Sequence, residues 1–400
     1  AAEHPELLAE LLELWWAEAT EHGVLPLDDR TIELFGTRFR DRSPHPTKLF
    51  ATFAWTGALS ATLMCLVTGT NWQMGVLLFV IANICLGSSL VIYDSLLVRI
   101  AGPNDRDRVS SKGWAFGYLG GGLLLLLNFV LVAKPDLVGL DKGGAVRVSL
   151  LMAGVWWAAF TIIPVRGLRN VTGTVAPPVA PGEGVVGGSL RQLRGTFRDL
   201  ALHYPQTKLF LLAYLFFNDG IQTVIGNSSL YGIEELEFPQ ETVLGIFLFV
   251  QFVAFFGARF FGQVAARIGA WKTVLSSLGV WTGIVTVAFF VPAKSLVLFL
   301  ALAFFIGMVL GGSQALSRSL YSQLIPAGKE AEYFSLYQAM ERGTSWFGTL
   351  IFGLVYQATL SYRAAILALI VFFILGGVLL SRVKMREGII QAGNEVPRVI

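Results

Sequence analysis

After its first 47 positions the chain alternates long apolar runs with short polar borders. The pattern predicts ten helices, near 48–69, 74–99, 113–133, 146–166, 207–231, 242–265, 272–290, 296–323, 339–360 and 363–382. A run of about 18 or more apolar residues is long enough to cross a ~30 Å hydrocarbon core. The seventh and eighth runs are separated only by VPAKS, so Pro292, Ala293, Lys294 and Ser295 must form a tight turn. Within the fifth run Asn218, Asp219 and Gln222 fall within five residues of one another. Such a cluster in hydrocarbon needs an account.

Composition agrees with the pattern: 54% of the 400 residues are hydrophobic and 14% are charged, with mean hydropathy +0.63. A soluble domain carries about a quarter charged residues. An all-α, polytopic membrane bundle is therefore expected. The net charge of +3 discriminates little. Cys65 and Cys85 lie in apolar runs without metal-ligand spacing and read as packing residues. No nucleotide-binding loop, metal cluster or triad spacing is visible, and the four His are scattered at 4, 22, 45 and 203. The sequence therefore argues against an enzyme, a cofactor or a nucleic-acid partner. The opening AAEHPELLAE has neither an initiator Met nor a signal-peptide pattern, so a fragment or processed chain is expected.

The basic residues set the expected orientation. Alternate connections carry Arg99, Arg106, Arg108 and Lys112, then Arg166, Arg169, Arg191, Arg194 and Arg198, then Arg267 and Lys272, then Lys329 and Arg342. On the other side GTNWQ is uncharged and YGIEELEFPQE is acidic, while KPDLVGLDKGGAVR runs against the trend. Both termini and the long middle loop are expected to be cytoplasmic, in an inner membrane. The loop begins Pro/Gly-rich and flexible. It ends in SLRQLRGTFRDLALHY, where Leu190, Leu193, Phe197 and Leu200 share a helical face, as in a helix lying on the membrane surface.

Two segments repeat in parallel order: YDSLLVRIAGPNDRDRVSSKGWAFGYLGG from Tyr93 and YSQLIPAGKEAEYFSLYQAMERGTSWFG from Tyr321. Each closes an apolar helix, opens a loop with Ala-Gly, and reaches a basic residue and Gly. These are Lys112-Gly113 and Arg342-Gly343. Parallel repeats about an axis along the membrane normal relate the two halves of major facilitator proteins. The repeat joins the second span to the third in the first half, but the fourth to the fifth in the second. Two opening spans are thus expected but absent. The expected divisions are a cytoplasmic segment 1–47, an incomplete half 48–168, a linker 169–205, a six-helix half 206–385 and a tail 386–400. Residues 1–47 predict an acidic amphipathic helix stopped at Gly23. They weakly resemble an arylsulfatase C-terminal tail, without any sulfatase nucleophile signature in the chain.

Polar side chains inside spanning helices face the bundle interior or a wet cavity, because lipid exposure is costly. Helical spacing aligns Trp114, Tyr118 and Asn128 in the third span, and Gly307, Gly311, Gln314 and Arg318 in the eighth. It aligns Arg342 and Trp346 in the ninth. The expected substrate cavity comprises Asn218, Asp219, Gln222, Tyr118, Asn128, Gln314 and Trp346. Asp219, too deep to snorkel, is the expected coupling carboxylate. Asn218 and Gly220 are expected to weaken the helix around it. Asp94, Arg318 and Arg342, near helix ends where snorkelling is cheap, are expected gate or interface charges, together with Arg267 and Lys272.

LFFNDGIQTVIG, SSLVIYDSLL, VSSKGWAFGYLGGGLLLLLN and GQVAARIGAWK resemble one branch of the major facilitator superfamily, the autophagy-related vacuolar amino-acid effluxers and their bacterial relatives. The resemblance spans about residues 48–385. It implies a major-facilitator-type bundle, here with about ten transmembrane helices (4 + 6), working by alternating access. It also implies a loop signature with an acid where this chain has Ala266. The expected function is secondary-active transport of small polar solutes, amino acids by resemblance, with a coupling proton or cation, by a monomer in the bilayer. The alternative is a truncated or fused membrane protein that does not transport.

Overall fold

The computed structural model describes residues 46–68, 70–171, 185–342 and 345–400. The segment 1–45 and Gly343 lie outside the described residues, so the expectations placed on them have no counterpart below.

Among the described residues the regular structure is helical. In chain order the helices are α1 (Pro46–Leu63), α2 (Trp72–Ile100), α3 (Arg106–Ala133), α4 (Lys142–Gly167), α5 (Val185–Leu202), α6 (Pro205–Leu230) and α7 (Gln240–Ile268). There follow α8 (Ala270–Phe290), α9 (Leu296–Gln323), α10 (Glu330–Arg342), α11 (Ser345–Thr359), α12 (Tyr362–Ala368), α13 (Ile370–Ser381) and α14 (Met385–Gln391). Nine helical stretches among the described residues are long and apolar enough to cross a membrane. They match nine of the ten expected spans, with α12 and α13 forming one of them. The tenth, expected at 339–360, falls partly on residues 343–344, which lie outside the described residues; its polar start belongs to α10, and α11 has 15 described residues.

By contacts the chain divides into two compact units. Of the described residues, the first takes those from Pro46 to Ser95 with those of Lys134–Arg198 and Ala331–Ser335; the second takes those of Leu96–Ala133, Asp199–Glu330 and Leu336–Ile400. In the first unit α1 lies along α4. Gly57 permits this, because a Cβ there would stand 2.4 Å from the Trp157 ring. The indole of Trp55 donates to the Ala158 carbonyl at 3.2 Å, and the Thr47 hydroxyl donates to the Leu168 carbonyl at 2.8 Å. Leu49, Phe50, Phe53, Ala54, Cys85 and Ile92 form its apolar core. Cys85 is thus a packing residue.

In the second unit α3 packs on α7 and α9, and α6 packs on α13 and α11. The α7–α9 crossing is close because Gly257 and Gly311 carry no side chain. A Cβ at either would meet backbone oxygen, of Met308 at 2.3 Å or of Ala254 at 2.4 Å. Small residues drive such approaches where lipid supplies no hydrophobic force.

Two expectations need correction. First, α6 runs unbroken through Asn218 and Gly220; its irregular turn is a π-helical one at Tyr231–Glu235. Asn218 does not loosen the helix because its amide bonds to other helices. Gly220 does not because it seats against Phe372 and Phe373. Second, Asp94 and Arg318 do not snorkel: they are 4% and 5% exposed. The helix expected at the end of the middle loop forms as α5, with Leu200 buried and Phe197 exposed. The Leu190, Arg191 and Leu193 side chains lie outside those described.

Candidate functional site

The polar cluster is assembled within the second unit, where α9, α10 and α11 meet α6. Asn218 on α6 is fully buried, and both ends of its amide are used. Its Nδ2 donates to the Glu341 carbonyl at 3.3 Å, and its Oδ1 accepts from Gln314 Nε2 at 2.9 Å. One turn earlier the Tyr214 hydroxyl donates to the Glu341 carboxylate at 3.2 Å, and Gln338 Nε2 donates to the same oxygen at 3.3 Å. The Tyr214 ring stacks on Tyr337 at 4.1 Å. Tyr337 stacks on Tyr321 at 5.1 Å, and Tyr321 on Phe210 at 5.8 Å. Aromatic pairs in such offset arrangements add ~0.5–1.5 kcal/mol beyond their area. The column therefore fixes α10 against α6 and holds Glu341 in place.

Asp219, the next residue on α6, faces α11. Its Oδ2 accepts from the Gly348 amide at 2.8 Å. Gly348 lies on α11, in the described stretch Ser345–Thr359. Glycine is required there by proximity, since a Cβ would fall 2.2 Å from the Thr223 hydroxyl. The second carboxylate oxygen, Oδ1, is buried and has no hydrogen-bond partner among the described residues. The same holds for Gln314 Oε1, Thr223 Oγ1 and Trp114 Nε1. Leaving one such group unsatisfied costs ~1–3 kcal/mol.

The remaining expected residues divide. Tyr118 on α3 stacks against Trp114 at 5.7 Å and lies within electrostatic reach of Glu341. It therefore joins the cluster. Gln222 is half-buried one turn beyond Asn218, with no hydrogen bond among the described residues. Asn128 sits further along α3 with its Oδ1 unpartnered, and no contact ties it to Asn218. Trp346 is 63% exposed and is not brought to the cluster. The reason is angular: at 3.6 residues per turn, Trp346 points about 200° away from Gly348, which faces α6.

The charges expected at gates take varied positions. Arg318 Nε donates to the Ser110 hydroxyl at 3.0 Å across the α3–α9 contact, and Ser110 donates in turn to the Ala315 carbonyl at 2.6 Å. On the same seam Arg106 donates to the Ser322 carbonyl at 3.0 Å, and the Ser319 hydroxyl donates to Asp107 at 2.5 Å. Asp94 is buried on α2. Arg342 is exposed and donates to Gln338 Oε1 at 3.2 Å. Arg267 and Lys272 are exposed on either side of Gly269, whose φ of 95° closes α7.

Glu341 was not among the expected residues, although its carboxylate and its carbonyl both hold α6. A signal existed: Tyr333, Tyr337 and Glu341 follow one another at four-residue spacing, so they share a helical face.

A family model described as "Vacuole effluxer Atg22 like" matches residues 35–393. The chain is 26% identical over 354 residues to the MFS-type transporter YxiO of Bacillus subtilis, covering 88% of this chain and 81% of that protein. It is 25% identical over 412 residues to autophagy-related protein 22-2 of Emericella nidulans, covering 79% and 68%. Among solved structures, the major facilitator transporter FucP in its outward conformation is similar in fold. Its TM-score is 0.63 at 11% identity, over 90% of this chain and 91% of FucP.

Proposed function

This chain belongs to the Atg22-like vacuole effluxer family and has the major facilitator fold, and from that premise we propose that it is a secondary-active transporter of small polar solutes, with amino acids as the substrate class and alternating access as the mechanism. That it is a multi-pass membrane transporter follows from the family and the nine apolar helices. The finer reading is supported by one observation above others: the buried acceptors Asp219 Oδ1 and Gln314 Oε1, left without partners among the described residues.

An amino acid carries an ammonium with three N–H donors, which matches those acceptors, while neutral donors such as Trp114 Nε1 suit its carboxylate. In this reading Asp219 also exchanges the coupling proton or cation. Tyr118 and Tyr214 line the cavity with Glu341, whereas Asn218 acts mainly by holding Gln314 and Glu341 in position. The basic loops support cytoplasmic termini and a bacterial-type inner membrane as the location. Residues 48–168 and 206–385 then act as the two moving halves.

The test is amino-acid flux into proteoliposomes driven by a proton gradient. Asp219→Asn keeps an acceptor for Gly348 and should insert and fold normally, yet lose gradient-driven flux. Unchanged flux in that variant would remove Asp219 from coupling.

A further inference from the structure

Away from the polar cluster, the N-terminal end of α3 and the C-terminal part of α7 enclose a cavity of about 240 Å³. Arg108 and Lys112 from α3 and Arg259 from α7 bring three positive side chains to it, with the Gln263 amide alongside. No carboxylate lines its wall. Ser111, one residue before Lys112, is 2% exposed, lines the cavity, and has no hydrogen-bond partner for its hydroxyl among the described residues. Gly262 leaves room in front of it, since a Cβ there would stand 2.8 Å from the Ser111 hydroxyl. Ala266 is exposed and contributes no charge.

The nearby acids do not neutralise the cavity. Asp107 accepts from Ser319 on the other side of α3. Asp105 pairs with Arg108 at 2.8 Å, but both side chains are more than half exposed, so solvent weakens the pair. Neither Lys112 nor Arg259 has an ion-pair partner among the described residues. Arg259 instead lies 5.9 Å from the Phe255 ring. The first turn of α3 adds the positive end of its helix dipole.

We propose that this cavity is a phosphate-binding site. Every polar group it offers is a donor or can act as one. Guanidinium forks match phosphate oxygens in pairs, and the orphan Ser111 hydroxyl supplies a further, buried donor. Basic pockets between spanning helices take lipid headgroups of this chemistry, and a soluble phosphate carries the same oxygens. An anion held there ties α3 to α7, as a carboxylate at position 266 would from within the chain.

The experiment measures the melting temperature of the purified full chain, first with inorganic phosphate titrated into detergent solution. It is then repeated in bilayers of phosphatidylcholine alone or of phosphatidylcholine and phosphatidylglycerol in equal parts. Wild type should be stabilised by at least one of the two probes. Stabilisation by phosphatidylglycerol alone identifies a headgroup; stabilisation by inorganic phosphate identifies a soluble anion. The double variant Lys112→Gln/Arg259→Gln should bind that probe at least about tenfold more weakly, as expected for lost charge-assisted bonds. Ala266→Asp guards against a folding defect: it should melt higher than wild type without phosphate and no longer respond to it. The proposal is overturned if neither probe stabilises wild type, if the double variant responds like wild type, or if Ala266→Asp keeps the full response.

Discussion

The two repeated segments start alike and end differently. After Tyr93 the chain closes α2 at Ile100, turns through residues 101–105, and then runs as one helix from Arg106 to Ala133. After Tyr321 it closes α9 at Gln323, and the described residues continue as α10 up to Arg342 and as α11 from Ser345. In the second segment two backbone groups are bonded by α6: Asn218 bonds the Glu341 carbonyl, and Asp219 bonds the Gly348 amide. Part of the polar cluster therefore joins α10 and α11 to α6. Asp219 Oδ1 and Gln314 Oε1 are left without partners among the described residues.

The largest expected effect tests that joining. Asp219→Ala removes the acceptor for the Gly348 amide on α11 and should destabilise the protein by ~2 kcal/mol, the scale of a hydrogen bond to a charged group. Asp219→Asn should melt near wild type. Equal melting curves for wild type and the Ala variant would break the comparison, because α11 would then not depend on α6. Next comes Asn218→Ala, which removes two interhelical bonds and should cost ~1 kcal/mol, within the range for such bonds in membranes. Its partner test is Gln314→Ala, which should give a smaller loss, and a double variant no worse than Asn218→Ala would show that the two act as one pair.

In the first segment the matching variant is Ser110→Ala. It removes a donor to the Ala315 carbonyl and an acceptor for Arg318, with a loss of up to ~1 kcal/mol expected in a melting experiment. The smallest effect should come from Asn394→Ala. The Asn394 amide donates to the Gln323 and Ile325 carbonyls at 2.8 Å and tethers the tail to the end of α9. Hydrogen exchange over 385–400 should quicken while the overall melting temperature barely moves.

The spanning helices were legible because apolar length and polar borders answer directly to the bilayer. Asn218, Asp219 and Gln314 were legible because buried polar groups stand out against an apolar background. Trp346 was expected beside them from its helical spacing to Arg342, but its side chain is 63% exposed. Glu341 escaped notice because EAEYFSLYQAMER is polar enough to read as a loop. Its role emerges only when the aromatic column lays α10 against α6. The unbroken course of α6 was equally invisible in sequence, since it rests on partners that other helices bring.

The central claim is that the unpartnered oxygens of Asp219 and Gln314 receive the solute, within the polar cluster that Glu341 anchors. Equilibrium binding of a radiolabelled panel of amino acids to the purified chain tests it most directly, with wild type measured against Glu341→Gln and Gln314→Ala at matched melting temperature. The account predicts saturable binding of at least one amino acid to wild type, and at least about tenfold weaker binding in each variant. Saturable binding of the same strength in all three proteins would contradict it.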